Sequence, residues 1–143
     1  MRVFIDTNIL ISCIIWPDSK PKQAFFNAAY GYRNTAIICE YSIEELYRVF
    51  SRKFSAYMSD MEAFLEGHMF ALELVHVPAT PYEAEQLIRD ENDRPILRAA
   101  MSAGADILLT GDKDFLASGI MNPRIMNASE FLELTSTKGD TQS

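Results

Sequence analysis

The sequence predicts a three-layer α/β/α sandwich around a mostly parallel central sheet. Short apolar runs alternate with amphipathic segments along the chain, and strands alternating with helices must be joined by crossovers, which cover both faces of the sheet. The apolar runs are brief and lie between helical patterns rather than in hairpin pairs. The length, 143 residues, fits one domain and buries about two-thirds of the unfolded surface without metal or disulfide staples.

Taken in order, residues 3–5 read as a buried strand, followed by a helix over 9–15 that stops before Pro17. Residues 21–29 are helical, with Pro21 suited to the first turn. A second strand covers 36–39. The segment 42–54 is a helix that Ser42 can cap, and Glu45 three residues later completes a capping-box pattern. A second long helix is expected over 60–74, started by Ser59 or Asp60, with a brief strand over 75–77 ending at Pro78. Helices over 82–88 and 95–103 precede a strand over 107–109. A short helix over 114–117, an edge strand over 124–126 and a last helix over 129–134 complete the domain, 1–134. The remainder, 135–143, has nothing to bury and reads as a frayed, disordered tail.

Apolar residues make up 48% and charged residues 23%, a globular composition. The 13 basic and 20 acidic residues give a net charge of −7, which excludes a general polyanion coat binder. It does not exclude a nucleic-acid enzyme, because a metal site concentrates carboxylates while a separate basic patch holds phosphate. Cys13 and Cys39 each sit in an apolar run and read as buried hydrophobes in a reducing compartment. His68 and His76 read as structural or surface residues. Asp6 and Asn8 interrupt any signal-peptide core, and no run of about 18 uncharged apolar residues occurs, so a soluble, cytoplasmic protein without membrane contact is expected.

Functional residues of a parallel sheet gather beyond the carboxyl ends of its strands. Asp6 stands there in Asp6-Thr7-Asn8, and Asp112 in Thr110-Gly111-Asp112-Lys113-Asp114. Gly111 there allows a tight turn. Each acid precedes a helix and can be only an N-cap, worth about 1 kcal/mol. If both strands are central and parallel, the two acids share one rim. Glu45 lies on the flank of the apolar stripe formed by Ile43, Leu46, Val49 and Phe50, with Glu44 further toward solvent; its alternative role is the capping box. Asp93 precedes a helix that Pro95 helps start and has the N-cap alternative as well. Asp90 and Glu91 read as solvated loop charges. Like charges about 4 Å apart repel by about 4 kcal/mol at an effective dielectric near 20. Four ionised carboxylates therefore share protons or hold a hard divalent cation, and Mg²⁺ or Mn²⁺ suits an all-oxygen site.

Four segments together carry a resemblance: Val-Phe-Ile-Asp6-Thr7-Asn8-Ile-Leu, Ser-Ile-Glu44-Glu45-Leu-Tyr-Arg-Val-Phe, Asp93-Arg-Pro-Ile-Leu-Arg-Ala-Ala and Ala-Asp-Ile-Leu-Leu-Thr110-Gly-Asp112-Lys-Asp114-Phe-Leu. In this order and spacing, from residue 3 to about 134, the chain resembles the PIN-domain family, most of all its bacterial branch related to the toxins of toxin–antitoxin pairs. The resemblance implies a metal-dependent ribonuclease. It matches Asp6, Glu45, Asp93 and Asp112 to the acidic quartet, Thr7 and Asn8 to the residues orienting the first aspartate, and Thr110 to a supporting hydroxyl. Asp114 is an additional candidate ligand beside Asp6, Asp93 and Asp112. Glu44 competes with Glu45 for one position, and Asp90 with Asp93 for another. The pattern favours Glu45, which precedes Leu46, and Asp93, two residues before Pro95. The resemblance also implies a homodimer and a small antitoxin partner.

The expected chemistry is hydrolysis of RNA phosphodiester bonds by a water activated at one or two Mg²⁺ or Mn²⁺ ions. The RNA backbone would fall to Arg48, Arg52, Lys53 and Lys113, although Arg52 and Lys53 also suit a solvated helix end interacting with the dipole. Two rival readings stand beside it. An aspartate-based phosphatase or phosphotransfer domain also places an acid after its first strand, but a phosphatase of the haloacid-dehalogenase kind wants Asp-x-Asp where this chain has Asp6-Thr7-Asn8. The other rival is a non-catalytic RNA- or partner-binding protein whose acids are caps. In it Phe25, Phe26, Tyr30, Tyr47, Phe50, Phe54 and Met58 line a partner surface rather than the core.

Overall fold

A computed structural model describes residues 1–142, with side chains described through residue 136. Five parallel strands, β1 (Arg2–Ile5), β2 (Thr35–Cys39), β3 (Leu72–Val75), β4 (Ile107–Leu109) and β5 (Arg124–Met126), form one sheet in the order β3-β2-β1-β4-β5. Side chains alternate across it, so one central strand serves two cores. Val3 and Ile5, with Ala36, Ile38, Ile107 and Leu109, face the larger core. There they meet α1 (Thr7–Ile15), α2 (Lys20–Tyr30), α3 (Glu40–Lys53), α4 (Met58–His68) and α7 (Ala128–Gln142). Phe4, Ile37 and Leu108 face the smaller core, closed by α5 (Arg94–Ser102), Phe115 of α6 (Lys113–Leu116) and Ile88 of the segment between β3 and α5. The expected three-layer α/β/α arrangement is therefore the observed one. Among the described residues no helix is long and apolar enough to cross a membrane.

The turn from α5 into β4 shows how local chemistry sets an element's end. Gly104 has φ +66°, and its N–H reaches Met101 O at 3.1 Å while Ala105 N reaches Ala100 O at 3.0 Å. These paired bonds satisfy carbonyls that the helix end would leave open, and only a residue at ease in the left-handed region makes them without strain.

Several boundaries differ from those expected. Ser42 caps nothing: α3 begins directly off β2, Cys39 is the cap position, and Ser42 is a buried third residue whose Oγ lies 3.3 Å from Cys39 Sγ. The capping box with Glu45 is thereby absent, which leaves the Glu45 carboxylate for other work. The helix expected over 60–74 ends at His68, and a 3₁₀ turn, Met69–Ala71, leads into β3 about three residues earlier than expected. Leu72, Leu74 and Val75 fit either period; pairing with β2 and the bidentate Arg2–Glu73 ion pair, 2.6 and 3.1 Å, decide for strand. Residues 82–88 form a 3₁₀ turn, Glu83–Leu87, rather than an α-helix. The last helix is described from Ala128 to Gln142. Asn27 Nδ2 donates to Thr135 Oγ1 at 2.8 Å and ties that helix to α2. Ser143 lies outside the described residues.

Both cysteines are buried and free, and burial pushes the Cys13 thiol up to about 12. His68 packs among Phe25, Phe26 and Phe64 and meets Tyr30 Oη at 2.6 Å, while His76 pairs with Glu40 at 3.0 Å on the surface.

A Cβ at Gly104 would meet nothing within 4 Å, so the cost of Gly104→Ala is conformational alone. Urea unfolding should show a loss of about 1–2 kcal/mol, and Gly104→Asn, which tolerates this region, should recover part of it.

Candidate active site

The connections from β1 and β4 leave toward opposite sides of the sheet, and a crevice opens beyond their ends. Their register pairs Ile5 with Leu109, so the next residues, Asp6 and Thr110, emerge side by side. Asp6 is 5% exposed. Its Oδ1 accepts from Thr7 N at 2.8 Å, and its Oδ2 accepts from Thr110 Oγ1 at 2.7 Å and Asn8 Nδ2 at 3.1 Å. The Thr110 hydroxyl also accepts from Asp112 N at 3.0 Å, and Asn8 Oδ1 accepts from Gly111 N at 3.0 Å. One closed network therefore joins the two turns. Thr7 contributes its backbone amide only: among the described residues its Oγ1 is buried without a hydrogen-bond partner. Gly111 supplies an amide rather than special backbone freedom, since its φ is not positive and a Cβ there would meet only Asn8 Oδ1, at 3.7 Å.

Asp6 and Asp112 do cap helices, Asp112 Oδ1 accepting from Asp114 N at 2.9 Å. Capping employs one oxygen of each and leaves the rest of their surroundings unexplained. Burial raises the Asp6 carboxyl to about 6 against the pull of the Thr110 and Thr7 hydrogen bonds, with the charges of Glu45 and Asp112 adding to the rise. Asp93 is raised to about 7, first by burial and then by the Asp112 carboxyl, which stands close enough to share a proton with it; Asp6 and Asp90 add further negative charge. Asp6, Glu45, Asp93 and Asp112, carried by four different segments, thus gather at one rim, where their charges bear on Asp6 and Asp93.

The competing positions differ in their surroundings. Glu45 is largely buried and its Oε2 lies 3.7 Å from Arg48 Nη2, whereas Glu44 is exposed in a neighbouring cleft with Glu40, Tyr41 and His76. Asp93 faces Asp112, whereas Asp90 Oδ1 accepts from Asn92 N at 2.9 Å and caps a 3₁₀ turn, Glu91–Asp93. Asp114 gives its amide to Asp112 and its carboxylate to Arg89, 3.8 Å away. Arg52 and Lys53 close the far end of α3, two turns from Glu45 or about 11 Å along the helix. Lys113 is exposed beside Asp112. Of the aromatic residues weighed as a partner surface, Phe25 and Phe50 belong to the core, while Phe26, Tyr30 and Tyr47 are exposed.

Sequence reasoning passed over Tyr41. It stands two residues past the carboxyl end of β2, the one signal that could have marked it. Its Oη donates to Asn92 O at 2.7 Å, bridging α3 to the residue before Asp93. Burial, Glu45 and Asp93 raise its phenol while Arg48 opposes them, so it shares the field of the acidic rim.

Over residues 2–114 the chain matches the PIN domain family. The chain belongs to the PIN domain family. An uncharacterized protein of Methanocaldococcus jannaschii is 28% identical over 121 residues, covering 82% of this chain and 74% of its own length. The crystal structure of VapBC2 from Rickettsia felis bound to a DNA fragment from its promoter contains a similar fold. There the TM-score is 0.66 at 22% identity, with 89% of this chain and 98% of that chain covered. Asp6, Glu45, Asp93 and Asp112 all fall within the matched residues 2–114.

A carboxyl group whose folded pKa lies above its unfolded value stabilises fully below the unfolded value and loses that contribution as pH rises through the folded one. Without divalent ions, the raised Asp6 and Asp93 should therefore erode stability from about pH 4 up to about 7. Asp93→Asn should melt at a higher temperature than the parent at pH 7.5 in EDTA, and the difference should shrink at pH 4.5.

Proposed function

We propose that this PIN domain protein is a divalent-metal-dependent ribonuclease and the toxin of a toxin–antitoxin pair. The observation that carries the reading is the gathering of Asp6, Glu45, Asp93 and Asp112 at one rim, where burial and neighbouring carboxylates raise Asp6 and Asp93 and leave like charges poorly compensated. Their only close basic partner among the described contacts is Arg48 on Glu45. A hard cation supplies the missing positive charge, and an all-oxygen donor set suits Mg²⁺ or Mn²⁺. As the side chains stand, no group of three or more described His, Cys, Asp or Glu residues forms a ready ligand cluster. Mg²⁺ does not require one, since it is commonly held by one or two carboxylates with waters filling its other positions.

In this reading Asp93 and Asp112, which face each other, would hold the ion together with Asp6. When bound, it would polarise the scissile phosphate and acidify a water for in-line attack. Thr110 and Asn8 fix the Asp6 carboxylate, so its position does not depend on the ion. Glu45 lies at the edge of the rim, where it can accept a proton from the attacking water. Arg52, Lys53 and Lys113 offer charge to the RNA backbone, the first two toward a phosphate flanking the site. The buried Asp6, whose carboxylate accepts three hydrogen bonds, is poorly placed to act as a nucleophile, which speaks against an aspartyl-phosphate mechanism. The likeness to the Rickettsia felis VapBC2 structure supports the toxin reading, with a small antitoxin as partner and a homodimer as assembly. A cytoplasmic location fits that role.

Cleavage of a mixed RNA pool by purified protein tests the reading. Activity should require Mn²⁺ or Mg²⁺, vanish in EDTA and fall by at least about 100-fold in Asp112→Asn. Metal-independent cleavage, or full activity in that variant, would refute it. The double variant Arg52→Glu, Lys53→Glu should weaken RNA binding and flatten its salt dependence while leaving Mn²⁺ affinity unchanged in calorimetry.

A further inference from the structure

Between β3 and α5 the chain runs through 78–93 without a strand or α-helix of its own, and it delivers Asp93 to the rim. Three contacts toward its end are visible: Tyr41 on Asn92 O, Arg89 near Asp114, and Ile88 buried in the smaller core. The strongest polar attachment lies elsewhere. Glu85 is 3% exposed, the one buried carboxylate besides Asp6 among the described residues. Its Oε1 accepts from Arg98 Nη2 at 2.8 Å, and its Oε2 accepts from Arg98 Nε at 3.0 Å and Tyr82 N at 2.6 Å. Arg98 Nη1 continues to Pro78 O at 3.1 Å, and Arg94 Nε donates to Ile88 O at 3.0 Å.

We propose that the Glu85–Arg98 pair positions Asp93 for the divalent ion. This rests on the nuclease reading above and goes beyond the acidic quartet to a residue pair outside it. The geometry supplies the reason. Arg98 lies on α5, whose cap position is Asp93 itself. Its planar fork grips a carboxylate at the middle of the strap while its third nitrogen holds the strap's start. One side chain thus ties both the approach to Asp93 and the helix leaving it into a single rigid body. Glu85 and Arg98 touch neither Asp6 nor Asp112, so they are positioning residues rather than catalytic ones. The Arg98 guanidinium keeps the Glu85 carboxyl below the usual carboxylate range, so the pair stays ionised at neutral pH.

A bidentate pair elsewhere in the molecule gives the control. Arg2 opens β1, at the opposite end of the strand from Asp6, and binds Glu73 of β3. Glu85→Gln, Arg98→Lys and Glu73→Gln can be compared by Mn²⁺ calorimetry, by hydrogen exchange of the 82–93 peptide and by thermal melting. Arg98→Lys keeps the charge but not the fork, and it serves should Glu85→Gln fail to fold. Glu85→Gln and Arg98→Lys should weaken Mn²⁺ binding by about 10-fold or more and speed exchange over 82–93. Glu73→Gln should lower the melting temperature with Mn²⁺ affinity held within about twofold, well short of that supporting-residue range. Unchanged Mn²⁺ affinity in both strap variants, or an equal loss in Glu73→Gln, would overturn the proposal while the nuclease reading stands. A parent protein that binds no Mn²⁺ would bring down the nuclease reading itself, and the positioning role with it.

Discussion

The parallel pairing of β1 with β4 is the constraint from which the rest of the site follows. Register fixes Ile5 against Leu109, and side chains beyond a strand's end have little freedom to drift from their neighbours. Asp6 and Thr110 therefore meet because the hydrophobic sheet beneath them is paired in one way. A slip of one residue would turn every apolar side chain of β1 to the wrong core. The cores that forbid such a slip, with Val3 and Ile5 on one side and Phe4 on the other, also hold the carboxylate in place.

That rigidity has an electrostatic cost. Asp6 is buried with its hydrogen bonds made, Asp93 is pressed against Asp112, and Glu45 adds its charge to Asp6 with Arg48 beside it. A structure built only for stability would spread these charges or replace one with an amide. Local frustration of this kind is what a functional site looks like when the surrounding fold is otherwise consistent.

Much of this was legible in the chain. The alternation of short apolar runs with helical patterns fixed the three layers, and the turn residues after 5 and 109 marked the rim. What could not be read were features decided by tertiary contact. Ser42 and Glu45 spell a capping box, but β2 runs into α3 without a break, and the start of the helix moves past Ser42. Leu72 and Leu74 suit a helix as well as a strand until β2 lies beside them. Tyr41 and Glu85 carry no motif at all. One matters through a hydroxyl reaching Asn92 O, the other through Arg98, thirteen residues along the chain.

The network that joins the turns at Asp6 and Asp112 is satisfied largely by main-chain amides, those of Thr7, Gly111, Asp112 and Asp114. Every residue except proline carries such a donor. The residue types at 7 and 111 therefore matter little to the network, and any substitution there except proline leaves its donors in place. Inheritance of this site is thus a matter of chain path more than of spelling, with the identity of the residue demanded chiefly at Asp6, Asn8, Thr110 and Asp112.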